Sequence, residues 1–203
     1  NYIGTLAFGG FVDQTGGALL CKGDPALNRI TKYIPQMPAS DFKGTTLYLR
    51  LREGEIYRIF SPFFVPTLDR YDLYECHVGL RDIRVTSLRD QPVEIDAIPV
   101  VEYTHPDALK QLTNADWVPQ TMQSRIVEEQ NGHKVLVQYP FMFRDLKVNY
   151  FTASLPVSSF ESDRARFLGD HGYGTWAAPL ALQQSELSNT QANRGDNIGA
   201  LML

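Results

Sequence analysis

"TTLYLRLREGEIYRIFSPFF", residues 45–64, decides how the rest of the chain is read. Leu47, Leu49 and Leu51 alternate with Tyr48, Arg50 and Arg52, and a strict period of two is the signature of a strand with aliphatic residues on one face and long polar side chains on the other. Glu53 and Gly54 supply a turn. A second strand starts at Ile56 and runs towards Pro62 and Pro66, which have no N–H for a central ladder and so close the pair.

Outward from this hairpin the same rhythm recurs. "LYECHVGL" (73–80) and "RDIRVTSLRD" (81–90) give short strand, glycine break, short strand, with Ile83 and Val85 facing one way, and Gln91 and Pro92 make the next turn. "VEIDAIPVVEY" (93–103) continues it. "SRIVEEQNGHKVLVQYPF" (124–141) reads as a hairpin about Asn131 and Gly132, a dipeptide suited to the left-handed angles of a type I′ turn, and "KVNYFTASL" (147–155) gives the last strand pattern. Strands about ten residues apart, joined by tight turns, predict a mainly β protein, a β-sandwich and not a βαβ fold. Two short helices are expected. One starts at Pro106, with Thr104 or His105 capping and Ala108, Leu109 and Leu112 turned inward; the other lies in "SSFESDRARFLGD" (158–170) and ends at Gly169. From Gly169 onward the pattern weakens into long loops with one or two strands.

Composition limits the function. The 203 residues are 43% hydrophobic and 21% charged, which suits a single folded domain over 1–203. Nineteen Lys and Arg scattered among 23 acids, net charge −4, argue against a nucleic-acid partner, because phosphate binding needs a dense basic stripe. No run approaches the roughly 20 apolar residues that span a bilayer, so no membrane partner is expected. Cys21 and Cys76 are too few and too far apart for a disulfide framework or a cysteine zinc site, and read as free thiols of a cytoplasmic protein. His77, His105, His133 and His171 form no metal-ligand spacing, so no metal is expected. Asn1 at the start and the apolar ending "NIGALML" suggest a piece of a longer polypeptide.

The chemistry concentrates in "EYTHPDALKQLTNADWVPQTM", residues 102–122. A pyranose is bound by an aromatic ring against its apolar face while amides, carboxylates and imidazoles take its hydroxyls. Tyr103, His105, Asn114, Asp116, Trp117 and Gln120 supply both halves of that demand, and Arg194 with Asp196 adds a second polar cluster. The alternatives are structural: Trp117 and its helix cap an open end of the sandwich while Asn114 and Asp116 bond loop backbone, and Arg194 and Asp196 tie their own loop together. Trp176 reads as a buried residue of a flexible, glycine-rich loop.

"YRIFSPFFVPTLDRYDLYECHVGLRDIRVTS" (57–87) resembles the amino-terminal β domain of the inverting disaccharide phosphorylases, the cellobiose phosphorylase family. "PVVEYTHPDALKQLTNADWVPQTM", "FLGDHGYGTWAAPLAL" and "NRGDNIGALML" resemble the branch acting on β-1,2-linked glucooligosaccharides, the 1,2-β-oligoglucan phosphorylases, which are related to the phosphorylase-like region of cyclic β-1,2-glucan synthases. The resemblance implies a galactose mutarotase-like β-supersandwich, no organic cofactor, inorganic phosphate as co-substrate, a β-linked glucooligosaccharide ligand, homodimerisation, and a helical catalytic barrel elsewhere in the same protein that carries the general acid. No catalytic residue is therefore expected in this chain, which alone should be inactive. Two rival functions stand beside this one: an independent carbohydrate-binding module using Trp117 or Trp176 as its platform, and an aldose epimerase pairing His105 with Glu102.

Overall fold

The computed structural model describes residues 2–33, 42–63, 74–79, 82–104, 122–141, 147–169, 175–193 and 197–203. Thirteen strands are described: β1 (Tyr2–Gly4), β2 (Gly9–Val12), β3 (Ala18–Cys21), β4 (Thr45–Glu53), β5 (Ile56–Phe60), β6 (Tyr74–Val78), β7 (Ile83–Ser87), β8 (Ile95–Glu102), β9 (Met122–Glu128), β10 (Lys134–Pro140), β11 (Asn149–Phe151), β12 (Ser159–Asp163) and β13 (Asn197–Met202). With them are one helical turn, α1 (Arg164–Leu168), and a 3-10 turn, Leu180–Gln183. All strand pairings are antiparallel. The central sheet runs β12-β13-β8-β4-β5, and three smaller sheets run β1-β2-β3, β11-β10-β9 and β6-β7. Antiparallel sheets packed face to face give the β-supersandwich expected from the sequence.

The quoted hairpin lies within the central sheet, and both of its faces are covered. Leu49, Leu51 and Phe60 pack with Tyr74 and Val85 of the β6–β7 hairpin. On the same side of the sheet, Leu201 and Phe160 pack on Leu136, with Ile126 and Phe151 alongside. The opposite side carries Tyr48, Ile59, Ile98, Val100, Ile198 and Ala200, closed over by Phe167, Leu168, Leu182 and Leu187 from α1 and the chain after it. The face that carries the long polar side chains is buried as well, Tyr48 and Arg50 being 0% and 3% exposed.

A buried guanidinium persists only where its N–H groups are met. Arg50 donates through Nε to Asp96 at 2.7 Å and through its terminal nitrogens to the carbonyls of Leu182 (3.4 Å), Gln184 and Ser185 (3.0 Å). It also lies 4.2 Å from the centroid of the Tyr57 ring. One strand side chain thus holds the 182–185 segment down on the sheet.

Two local readings change, and a third is made specific. The stretch 158–170 is strand first and helix second, because Ser159 and Glu161 point into the core beside β13 and Asp163 then caps α1 by accepting from Ala165 N (2.9 Å) and Arg166 N (3.2 Å). The hairpin at Asn131-Gly132 is not type I′: Gly132 has φ +80° but Asn131 is not left-handed, and Gly132 N donates to Glu129 O at 2.9 Å while Glu129 N donates to His133 O at 2.8 Å. That is a wider loop closed by one left-handed glycine. The apolar chain end is a central strand, every residue of β13 from Asn197 to Met202 being buried between β12 and β8. The helix expected from Pro106 lies outside the described residues. Cys21 and Cys76 are both free thiols, as expected.

Arg50→Met is expected to destabilise the protein by roughly 3 kcal/mol, because the Leu182, Gln184 and Ser185 carbonyls and Asp96 lose their donor, and Arg50→Lys should not restore it, having no planar fork. Urea titration followed by tryptophan fluorescence checks both; a loss below about 1 kcal/mol in Arg50→Met would contradict the clamp.

Candidate functional site

One end of the sandwich is where β8 finishes and β9 and β13 begin. Tyr103 N donates to Asn197 O at 3.1 Å, and Thr104 N donates to Ile30 O at 3.0 Å, so the chain leaving β8 is held from two sides. The Asn197 amide donates from Nδ2 to Met122 O at 3.2 Å while its Oδ1 accepts the Ser124 hydroxyl. The flanks of segments 105–121 and 194–196 are thereby tied to one another at a single rim.

Beneath the rim runs a polar seam between sheets. Ser124 and Gln138 are fully buried and sit opposite one another in the β9–β10 register, with Asn149 across from Gln138 on β11 and donating to its Oε1 at 2.8 Å. Tyr103 closes the seam at 6% exposure. Its hydroxyl lies over Gly199, where a Cβ would come within 2.8 Å of both the phenol oxygen and Phe151, so glycine here makes room for the ring. Neither the Tyr103 hydroxyl nor Gln138 Nε2 has a hydrogen-bond partner among the described residues. Burial pushes the Tyr103 phenol well above its ordinary pKa, so it is neutral at any physiological pH.

Next to the rim, Glu102 is 6% exposed. Its Oε1 accepts from Lys32 Nζ at 3.1 Å and forms an ion pair with Arg164 Nε at 3.2 Å, a charge contact without hydrogen-bond alignment. Arg164 in turn lies 5.5 Å from the Trp176 ring centroid, and Trp176 stacks on Phe42 at 3.9 Å. Glu102 is thus the hub of a charge cluster with Lys32 and Arg164. Trp176 has neighbours on its ring and packs against the core, so it is not an open sugar platform.

Of the residues nominated from the sequence, Tyr103 is described, as a between-sheet residue under the rim; its ring is not open to a sugar in this arrangement. His105, Asn114, Asp116, Trp117, Gln120, Arg194 and Asp196 lie outside the described residues. The seam residues Ser124, Gln138 and Asn197 escaped the sequence reading, although a signal existed for two of them: Ser124 stands at an inward position between Met122 and Ile126, and Gln138 between Leu136 and Pro140. Among the described residues no His, Cys, Asp and Glu cluster could hold a metal ion, and no helix is long and apolar enough to cross a membrane.

Tyr103→Phe removes a buried hydroxyl that has no partner among the described residues and is expected to leave stability unchanged or raise it by up to about 1 kcal/mol, whereas Gly199→Ala should destabilise by forcing the ring aside. Thermal unfolding of both variants checks this; a clear loss in Tyr103→Phe would mean the hydroxyl is satisfied.

Comparison with known proteins agrees with this architecture. The sequence model of the family described as glycosyl hydrolase 94, supersandwich domain, matches residues 1–81 and 77–203. A curated relative, N,N'-diacetylchitobiose phosphorylase of Vibrio proteolyticus, is 24% identical over 227 residues that cover 99% of this chain and 28% of the relative, so the chain spans little more than a quarter of that protein's length. With a family match along its whole length and antiparallel sheets packed as described, the chain belongs to glycosyl hydrolase family 94, as a supersandwich domain.

Proposed function

We propose that this chain is the non-catalytic β domain of an inverting, phosphate-dependent phosphorylase acting on β-linked glucooligosaccharides, with β-1,2-glucan as the preferred class. In that role it packs on a helical catalytic barrel of the same protein, supports a cytoplasmic homodimer, and lends its rim to the saccharide. Inorganic phosphate is the co-substrate and no organic cofactor takes part. The phosphate oxygen attacks the anomeric carbon, the glycosidic C–O bond breaks, and a general acid of the barrel protonates the departing oxygen, leaving an α-configured sugar phosphate. His105, Asp116, Trp117, Gln120, Arg194 and Asp196 are the proposed saccharide contacts, with Tyr103 supporting them from below.

The observation that supports this reading is the joining at one rim of the described residues that flank the two segments, Tyr103, Met122 and Asn197. These flanks are far apart in sequence, and their meeting is compatible with a shared binding surface. Family membership and the phosphorylase relative supply the reaction class.

Incubated with β-1,2-glucooligosaccharides, the full-length protein is expected to release α-glucose 1-phosphate only when phosphate is present, and residues 1–203 alone are expected to release none. Turnover by the isolated chain, or phosphorolysis confined to N-acetylglucosamine-containing substrates, would overturn the assignment.

A further inference from the structure

The sheet β11-β10-β9 has two chemically different faces. Met122, Ser124, Ile126, Leu136, Gln138 and Phe151 point inward to the seam and core. By strict alternation the outer face carries Gln123, Arg125 and Val127 from β9, Val135, Val137 and Tyr139 from β10, and Tyr150 from β11. Tyr150 is 71% and Val127 49% exposed, and the others are partly exposed. The core clusters that involve this sheet draw on its inner face.

Register arranges the outer side chains in rows. Arg125, Val137 and Tyr150 lie side by side, with Gln123 and Tyr139 in the next row, which makes Tyr139 and Tyr150 diagonal neighbours at about 7–8 Å. Two aromatic rings separated in this way can each underlie one of two consecutive sugars. Arg125 donates to Ser124 O at 2.8 Å, a bond that holds its guanidinium along the sheet and lowers the entropic cost of a further contact. Two strands of seven residues flanked by one of three give a face of at most roughly 23 by 14 Å, and less than about 300 Å² in area. That is well below the about 800 Å² per partner of a stable protein interface, and it suits a narrow chain ligand.

We propose that this outer face is a surface platform for a long β-linked glycan chain, distinct from the rim. Tyr150 and Tyr139 take the apolar faces of two pyranose units, and Gln123 and Arg125 bond their hydroxyls. The platform would hold polymer near the enzyme while chain ends react elsewhere. The choice of glycan rests on the phosphorylase reading; the shared chemistry is a chain of pyranoses with exposed apolar faces.

The test uses the full-length protein and its Tyr150→Ala, Tyr139→Ala and double variants, in affinity electrophoresis against long soluble β-1,2-glucan and, separately, against long chitooligosaccharides. Phosphorolysis of a β-1,2-linked trisaccharide is measured in parallel. Wild type is expected to be retained by at least one polymer, the polymer identifying the sugar, and the double variant to bind it about tenfold more weakly with trisaccharide kcat/KM unchanged. Retention of neither polymer by wild type, equal retention of wild type and double variant, or conversion of a dimer to monomers by the substitutions would each overturn the platform, the last by showing that a protein covers the face. Retention lost in the double variant of a protein that phosphorolyses no trisaccharide would sink the phosphorylase reading and leave the platform standing.

Discussion

A single guanidinium, that of Arg50, sets the terms for the central sheet. Its strand, β4, is buried on both sides, so every polar group on it must find a partner within the protein. Three carbonyls from residues 182–185 and the Asp96 carboxylate provide those partners, and in doing so they bring the segment that carries Leu182 and Leu187 over the hydrophobic face formed by Tyr48, Ile98 and Ile198. Burying each of those leucines contributes about 1.5–3 kcal/mol, but burial alone does not choose where the segment lies. The directional bonds of Arg50 do.

The same constraint shapes the rim. Because both faces of the central sheet are packed, its strands have freedom only at their ends, and at one end β8 and β13 meet β9 of the neighbouring sheet. There Asn197 acts as a connector, its backbone bonded to Tyr103 and its side chain to Met122 and Ser124. Glu102 adds electrostatic ties to Lys32 and Arg164, which join the segment after β3, the central sheet and α1 around the base of the rim.

The strands were legible because period-two alternation survives even where a strand is fully buried. The alternation does not show what covers the face of Tyr48 and Arg50, because their partners lie about 130 residues away, in a stretch whose own pattern is weak. In β13, unlike β4, burial on both faces leaves no polar alternation, so the pattern did not mark this strand. Asn131-Gly132 announced a hairpin correctly, but the turn type depended on where the β9–β10 register closed, which the dipeptide does not encode. At the site, Tyr103 was chosen for its aromatic ring and hydroxyl, and only the depth of Gly199 beside it makes it a between-sheet residue. The seam of Ser124, Gln138 and Asn197 needed pairing information across three strands to be seen at all.

The claim on which the rest depends is that the central sheet is the most stable unit, with the chain-terminal strand β13 built into its middle. Native-state hydrogen exchange of the full-length protein, read by mass spectrometry on peptides covering 45–53, 95–102 and 197–203, tests it directly. All three peptides should exchange slowest among the domain's peptides and together, as one unit opening only on global unfolding. Rapid exchange in 197–203 while 45–53 and 95–102 stay protected would contradict a central β13, and with it the tie that joins the two halves of the rim.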